Sequence, residues 1–194
     1  MFKNFNGTEI DLSDFDTSNT TNMQTMFYNC KNIVSLDLSG FNTVKVINVQ
    51  EMFRDCSSLT SLNLSNFNIY NFTKMDNMFR GCSKLINLDL SSFGETNATA
   101  FTFMFFGCSS LETLNLQNLV NLKTSMANQM FYNCIKLKNL NMSSFDFTKT
   151  TYYTNMFEGV RSDCYILVKD ETQKDWFTTK QSRFTNVHYV GEEG

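Results

Sequence analysis

Apolar and polar positions along this chain recur with a period of 26 residues. The pair Met-Phe stands at 26–27, 52–53, 78–79, 104–105, 130–131 and 156–157. Three residues after each Phe comes a cysteine, at Cys30, Cys56, Cys82, Cys108 and Cys134, with Val160 in the sixth copy. An apolar-x-apolar pair follows: Leu36 and Leu38, Leu62 and Leu64, Leu88 and Leu90, Leu114 and Leu116, Leu140 and Met142. Ile10 with Leu12 and Ile166 with Val168 extend that column to both ends. A further column is Phe15, Phe41, Phe67, Phe93, Leu119 and Phe145. A repeat length held without insertion implies that each residue sits beside its equivalent in the next copy.

Two periods occur within one repeat. Ile33, Leu36 and Leu38 alternate as the inward residues of a short strand do. Met23, Met26, Phe27 and Cys30 follow the spacing i, i+3, i+4, i+7, which predicts one face of a short helix. The stretch "DTSNTT", Asp16 to Thr21, precedes that helical face and carries the Asp, Ser, Asn and Thr that turn a chain and cap N–H groups. Each coil is thus expected to run strand, turn, short helix, return. A single coil cannot bury its apolar side chains alone; stacked neighbours can.

The ends depart from the pattern. "MFKNF" puts Phe5 where a cysteine belongs and loses one residue before Ile10. After Ile166–Val168, Asp170 with Gln173 three residues on resembles a capping box. Trp176, Phe177 and Phe184 would cover the core, and Val187 with Tyr189 suggests a closing strand. The expected organisation is a solenoid over residues 1–168 and a cap over 169–194.

The lines "LDLSGFNTVKVINVQEMFRDCSSLTSLNLSNFN" and "MFRGCSKLINLDLSSF" resemble the BspA-like leucine-rich repeats of bacterial surface proteins, in particular the Met-Phe-x-x-Cys subclass of mycoplasma lipoproteins. The resemblance spans about residues 8 to 168 and lapses at "GETNATAFTF", Gly94 to Phe103. It implies an α/β, right-handed leucine-rich-repeat solenoid and a cell-surface or secreted location. It also implies adhesion to host or bacterial proteins or glycans, without catalysis. The opening "MFKNFNGTEIDL" has neither a basic n-region nor a long apolar run, so an exported protein would contain this chain as a mature or excised part.

Composition narrows the function classes. The 194 residues carry a net charge of −3, contain no proline, and hold 20 Phe and 11 Met. A mildly acidic chain lacks the clustered basic footprint of a nucleic-acid binder. No stretch of about 18 apolar residues is present, so this segment is not expected to insert into a membrane. Phosphate-loop, HExxH and paired-carboxylate motifs are missing, the one histidine is His188, and no cofactor or metal is expected. One thiol per coil admits three readings: metal ligands, disulfides between adjacent coils, or a column of buried thiols. The linear arrangement favours the last.

Two outward columns are candidate contact surfaces. Between the strand leucines stand Asp37, Asn63, Asp89 and Asn115, flanked by Asn87 and Thr113. They point onto the sheet face, as a solvated polar ladder or as a binding surface. A second column follows each Phe and includes Tyr28, Phe106 and Tyr132. It is either lateral packing between coils or a contact edge, since Tyr and Arg anchor interfaces. The expected function is recognition by a monomer. The alternative is an architectural module that self-associates into a layer or fibre.

Overall fold

The computed structural model describes residues 1–192, so the last two residues of the expected cap lie outside the described part. The chain winds as a parallel β-solenoid of 26-residue coils. The strand column consists of β1 (Ser35–Asp37), β2 (Ser61–Asn63), β3 (Asn87–Asp89), β5 (Thr113–Asn115), β7 (Asn139–Met142) and β8 (Tyr165–Val168). Their leucines pair in register, Leu36 with Leu62 and Leu88 with Leu114, then Leu140 and Ile166. Two-residue strands β4 (Glu95–Thr96) and β6 (Val120–Asn121) pair beside them.

The expected short helix in each coil is absent among the described residues, while the solenoid of 26-residue coils and the helix and strand of the expected cap are present. The segment from Met23 to Cys30 is a run of turns. Thr25 and Asn29 hold left-handed φ values of 56° and 59°, and Glu51, Asp55, Asn77, Gly81, Phe103, Gly107, Gln129, Asn133, Asn155 and Gly159 repeat this. A left-handed residue at every fourth position ends any right-handed helix. Alternate amides then point to the next coil: Met23 N–H to Asn48 O at 2.8 Å, Thr25 to Gln50 at 3.0 Å, Phe27 to Met52 at 2.9 Å. Residues between them close local turns, such as Met26 N–H to Met23 O at 3.1 Å. One-sided burial at helical spacing therefore arises here from turns.

The strand column also differs from the expected seven. Ile10–Leu12 forms no strand, and the shortened first coil is tied to the next through its turn arm, with Phe2 N–H on Met26 O at 2.9 Å. β2 and β3 are neighbours without strand pairing, so the column divides into β1–β2 and β3–β5–β7–β8–β9.

The core is a stack of phenylalanines. Phe2, Phe27, Phe53, Phe79, Phe105, Phe131 and Phe157 lie ring over ring, with centroids 5.1–5.7 Å apart. That spacing is the coil repeat itself, close to the ~4.8 Å between hydrogen-bonded strands. The cap closes the far end. Helix α1 (Glu171–Lys180) begins at Asp170, whose carboxylate accepts Gln173 N–H at 3.1 Å. Gln173 does not complete a capping box; its amide accepts Phe147 N–H at 2.7 Å and donates to Asp146 at 3.2 Å. Phe177 and Phe184 cover Phe157, with centroids at 5.2 and 5.4 Å, and Trp176 stacks on Phe147 at 4.8 Å. β9 (Val187–Tyr189) pairs parallel with β8 and ends the sheet.

Candidate functional site

The strand face presents Asp37, Asn63, Asp89 and Asn115 as one column, with Asn87 and Thr113 beside it in paired register. All six are exposed or partly so. The column residues also work for the fold. Each turns its Oδ1 onto the amide two residues on: Asp37 to Ser39 at 3.0 Å, Asn63 to Ser65 at 3.1 Å, Asp89 to Ser91 at 2.9 Å, Asn115 to Gln117 at 3.1 Å. These bonds bend the chain out of each strand. Side chains link coils as well, with Asn63 Nδ2 donating to Asp37 at 3.0 Å and Asn115 Nδ2 to Asp89 at 3.1 Å. Amide and hydroxyl donation from Ser39, with the Asn63 amide, holds the Asp37 carboxyl below the usual range. The turn-bonding role of this column is legible only once the chain direction after each strand is known.

The second column lies at the turn arm. Phe106 and Tyr132 stack at 4.9 Å with planes 4° apart. The Arg80 guanidinium sits over Phe106 at 4.7 Å and over Phe103 at 5.2 Å. Tyr28 is flanked by Lys3 at 4.9 Å and Arg54 at 5.5 Å. Most ring faces thus look along the solenoid axis onto neighbours, and ring edges look outward. Packing between coils accounts for much of this column. Phe103 is different: a bulky residue held at φ 58°, where Asn77 and Asn155 stand in equivalent coils. Sequence reasoning missed its strain, since a side chain's type does not show its φ.

The cysteines do not form a site. All six are buried and free. Cys30, Cys56, Cys82, Cys108 and Cys134 each donate S–H to the carbonyl of the Phe in the preceding coil, at 3.0–3.2 Å. Burial pushes the Cys108 thiol up to about 12 and raises Cys82 and Cys134 well above the ordinary thiol value. Among the described residues no group of three or more His, Cys, Asp or Glu is placed to hold a metal ion. His188 stacks on Tyr165 at 5.0 Å and contacts Asn186 at 2.9 Å, as part of the cap.

With this geometry in place, comparison with known proteins gives one result. The family described as "Mycoplasma protein of unknown function, DUF285" matches residues 1–119 and again 62–169. The chain belongs to this family. The two DUF285 matches overlap, as a uniform repeat permits, and cover the solenoid up to the cap. No curated protein and no solved structure matches the chain. Within the described residues no helix is long and apolar enough to cross a membrane.

Proposed function

We propose that this DUF285 chain is a non-enzymatic recognition module of a bacterial surface or secreted protein, of the BspA-like leucine-rich-repeat kind, that binds a protein or glycan through its strand face. The observation that carries this reading is the order of that face. Asp37, Asn63, Asp89 and Asn115 are locked by turn and inter-coil bonds, so their outward groups are preorganised and cost little to immobilise on binding.

Testing the face requires variants that leave these bonds alone. Asn87 and Thr113 form no side-chain hydrogen bond among the described residues, so Asn87→Arg with Thr113→Arg adds bulk and charge without opening a coil. Labelled protein is applied to animal cells and to a glycan array. The double variant should bind at least tenfold more weakly, whereas Phe106→Ala with Tyr132→Ala should bind normally. The reverse pattern would move the site to the aromatic edge.

A specific observation favours the architectural alternative. Phe2, Phe5, Ile10, Leu12 and Phe15 are only partly buried around the first coil, which leaves apolar surface for a second copy. Light scattering separates the readings: a mass that rises with concentration supports assembly, and a constant monomer mass supports recognition.

A further inference from the structure

Two joints flank the gap between β2 and β3, and both are linked in the same three ways. The joint below has the β1–β2 pairing, the Asn63–Asp37 bond, and Asn66 Nδ2 donating to Ser39 O. The joint above has the β3–β5 pairing, the Asn115–Asp89 bond, and Asn118 Nδ2 donating to Ser91 O at 2.7 Å. At the β2–β3 joint none of the three is present.

The sequence shows which side-chain links this joint lacks. The Asp89 side chain carries no N–H to donate back to Asn63. Ser92 stands where Asn66 and Asn118 stand, and its shorter side chain reaches only Leu64 O, at 3.3 Å. Ile69 stands where Thr17 and Thr43 use hydroxyls to bond the next coil. The turn-arm side of the same joint stays closed: Asn77 N–H bonds Thr102 O at 3.0 Å, Phe79 bonds Met104 at 2.9 Å, and Gly81 bonds Phe106 at 2.8 Å.

The open side is a groove lined by Leu62, Asn63, Ser65, Asp89, Ser91 and Ser92. Its walls are strand edges whose main-chain groups have no strand partner, and such groups demand donors and acceptors. Its floor is apolar: Leu62 is partly exposed, while Leu36, Leu88, Leu114 and Leu140 are all 4% exposed or less. Resting on the strand-face reading above, we propose that this groove is a subsite for one neutral sugar ring of a glycan.

The chemistry selects that occupant. Hydroxyls both donate and accept, so they suit walls that offer N–H, C=O, serine and carboxylate together. The C–H face of a pyranose suits the Leu62 floor. An inserted peptide strand needs about twice the ~4.8 Å strand spacing between β2 and β3. The Ser92–Leu64 bond and the closed turn arm prevent that opening. The Asp89 carboxylate disfavours an anionic sugar.

The test uses the whole chain with lactose, chitobiose and mannobiose as probes, read by saturation-transfer NMR and titration. Saturable binding of at least one is expected. Ser92→Tyr fills the groove and should weaken binding at least tenfold. Asp89→Asn supplies the missing donor to Asn63, so amide exchange at Leu62 and Leu64 should slow while sugar binding falls. Lys123→Ala, exposed beyond β6 and off the strand face, should bind as the parent does. The subsite is overturned if no probe binds, or if Ser92→Tyr and Asp89→Asn bind normally. Cell binding unaffected by Ser92→Tyr would leave recognition standing and remove the subsite; no cell binding by the parent chain would remove the recognition reading itself.

Discussion

Phe79→Ala tests whether the phenylalanine stack holds the solenoid together. Phe79 is fully buried between Phe53 at 5.6 Å and Phe105 at 5.4 Å. Emptying a packed Phe site costs about 3–5 kcal/mol. Each lost ring pair is worth about 0.5–1.5 kcal/mol beyond burial, which puts this site at the upper end, near 5 kcal/mol. Phe79–Phe105 also crosses the β2–β3 joint, where strand pairing is absent. The change should therefore uncouple the two halves as well as destabilise them. At about 2–4 °C per kcal/mol for a chain of this size, Tm should fall by about 10–20 °C. Arg80→Ala next door removes partly exposed cation–π contacts worth about 0.5–1 kcal/mol and should cost only about 1–4 °C. Urea unfolding followed by circular dichroism and by fluorescence of Trp176 in the cap reads both effects. Coincident transitions in the parent should separate in Phe79→Ala. Equal midpoints for Phe79→Ala and Arg80→Ala would refute the assignment of the inward face.

The six cysteines should react slowly with a thiol reagent in the folded protein and should all titrate in denaturant; rapid native modification, or fewer than six thiols after unfolding, counts against the buried column. Phe103→Asn should raise stability by about 1 kcal/mol by relieving left-handed strain, read as a higher urea midpoint; a lower one would mean that its contacts with Arg80 and Phe106 outweigh the strain. Asp37 has a carboxyl held below its ordinary value, so its contribution is present above about pH 4 and is lost as pH falls through the folded value. Melting temperature measured from pH 7 to pH 3 should therefore fall less steeply in Asp37→Asn than in the parent, and parallel curves would contradict this.

The repeat, its inward columns and the cap were legible because identical residues recur in register, and register is what stacking enforces. The spacing of Met23, Met26, Phe27 and Cys30 marks them as inward, and all four are buried. Their backbone is not legible, because spacing reports which side is buried and not whether amides bond within the segment or to the next coil. The strand-face column was legible as outward and polar. Its turn bonds were not, since they depend on where the chain goes two residues later. The open joint left marks at Ile69, Asp89 and Ser92, but each substitution is conservative in polarity or size. Only the geometry shows that all three remove links from one joint.

The cysteine column has a reason that packing alone does not supply. Each Phe carbonyl in the stack already accepts the amide three residues on, as Phe53 O accepts Cys56 N–H at 3.2 Å. Its second lone pair faces the core and takes the thiol of the next coil, Cys82, at 3.2 Å. Alanine would leave that lone pair empty, and serine would bury a more strongly solvated hydroxyl. Cysteine donates weakly and packs as an apolar group, which suits a position with no water. The last two coils depart from this: Val160 stands where a cysteine would reach Phe131 O, so that carbonyl takes no thiol. Phe157 has no further coil to send it a thiol, and there the cap provides Arg183, whose guanidinium donates to Phe157 O and Val160 O. The cap thus ends the array by the same chemistry that propagates it, replacing one weak donor with a charged one at the point where the core meets solvent.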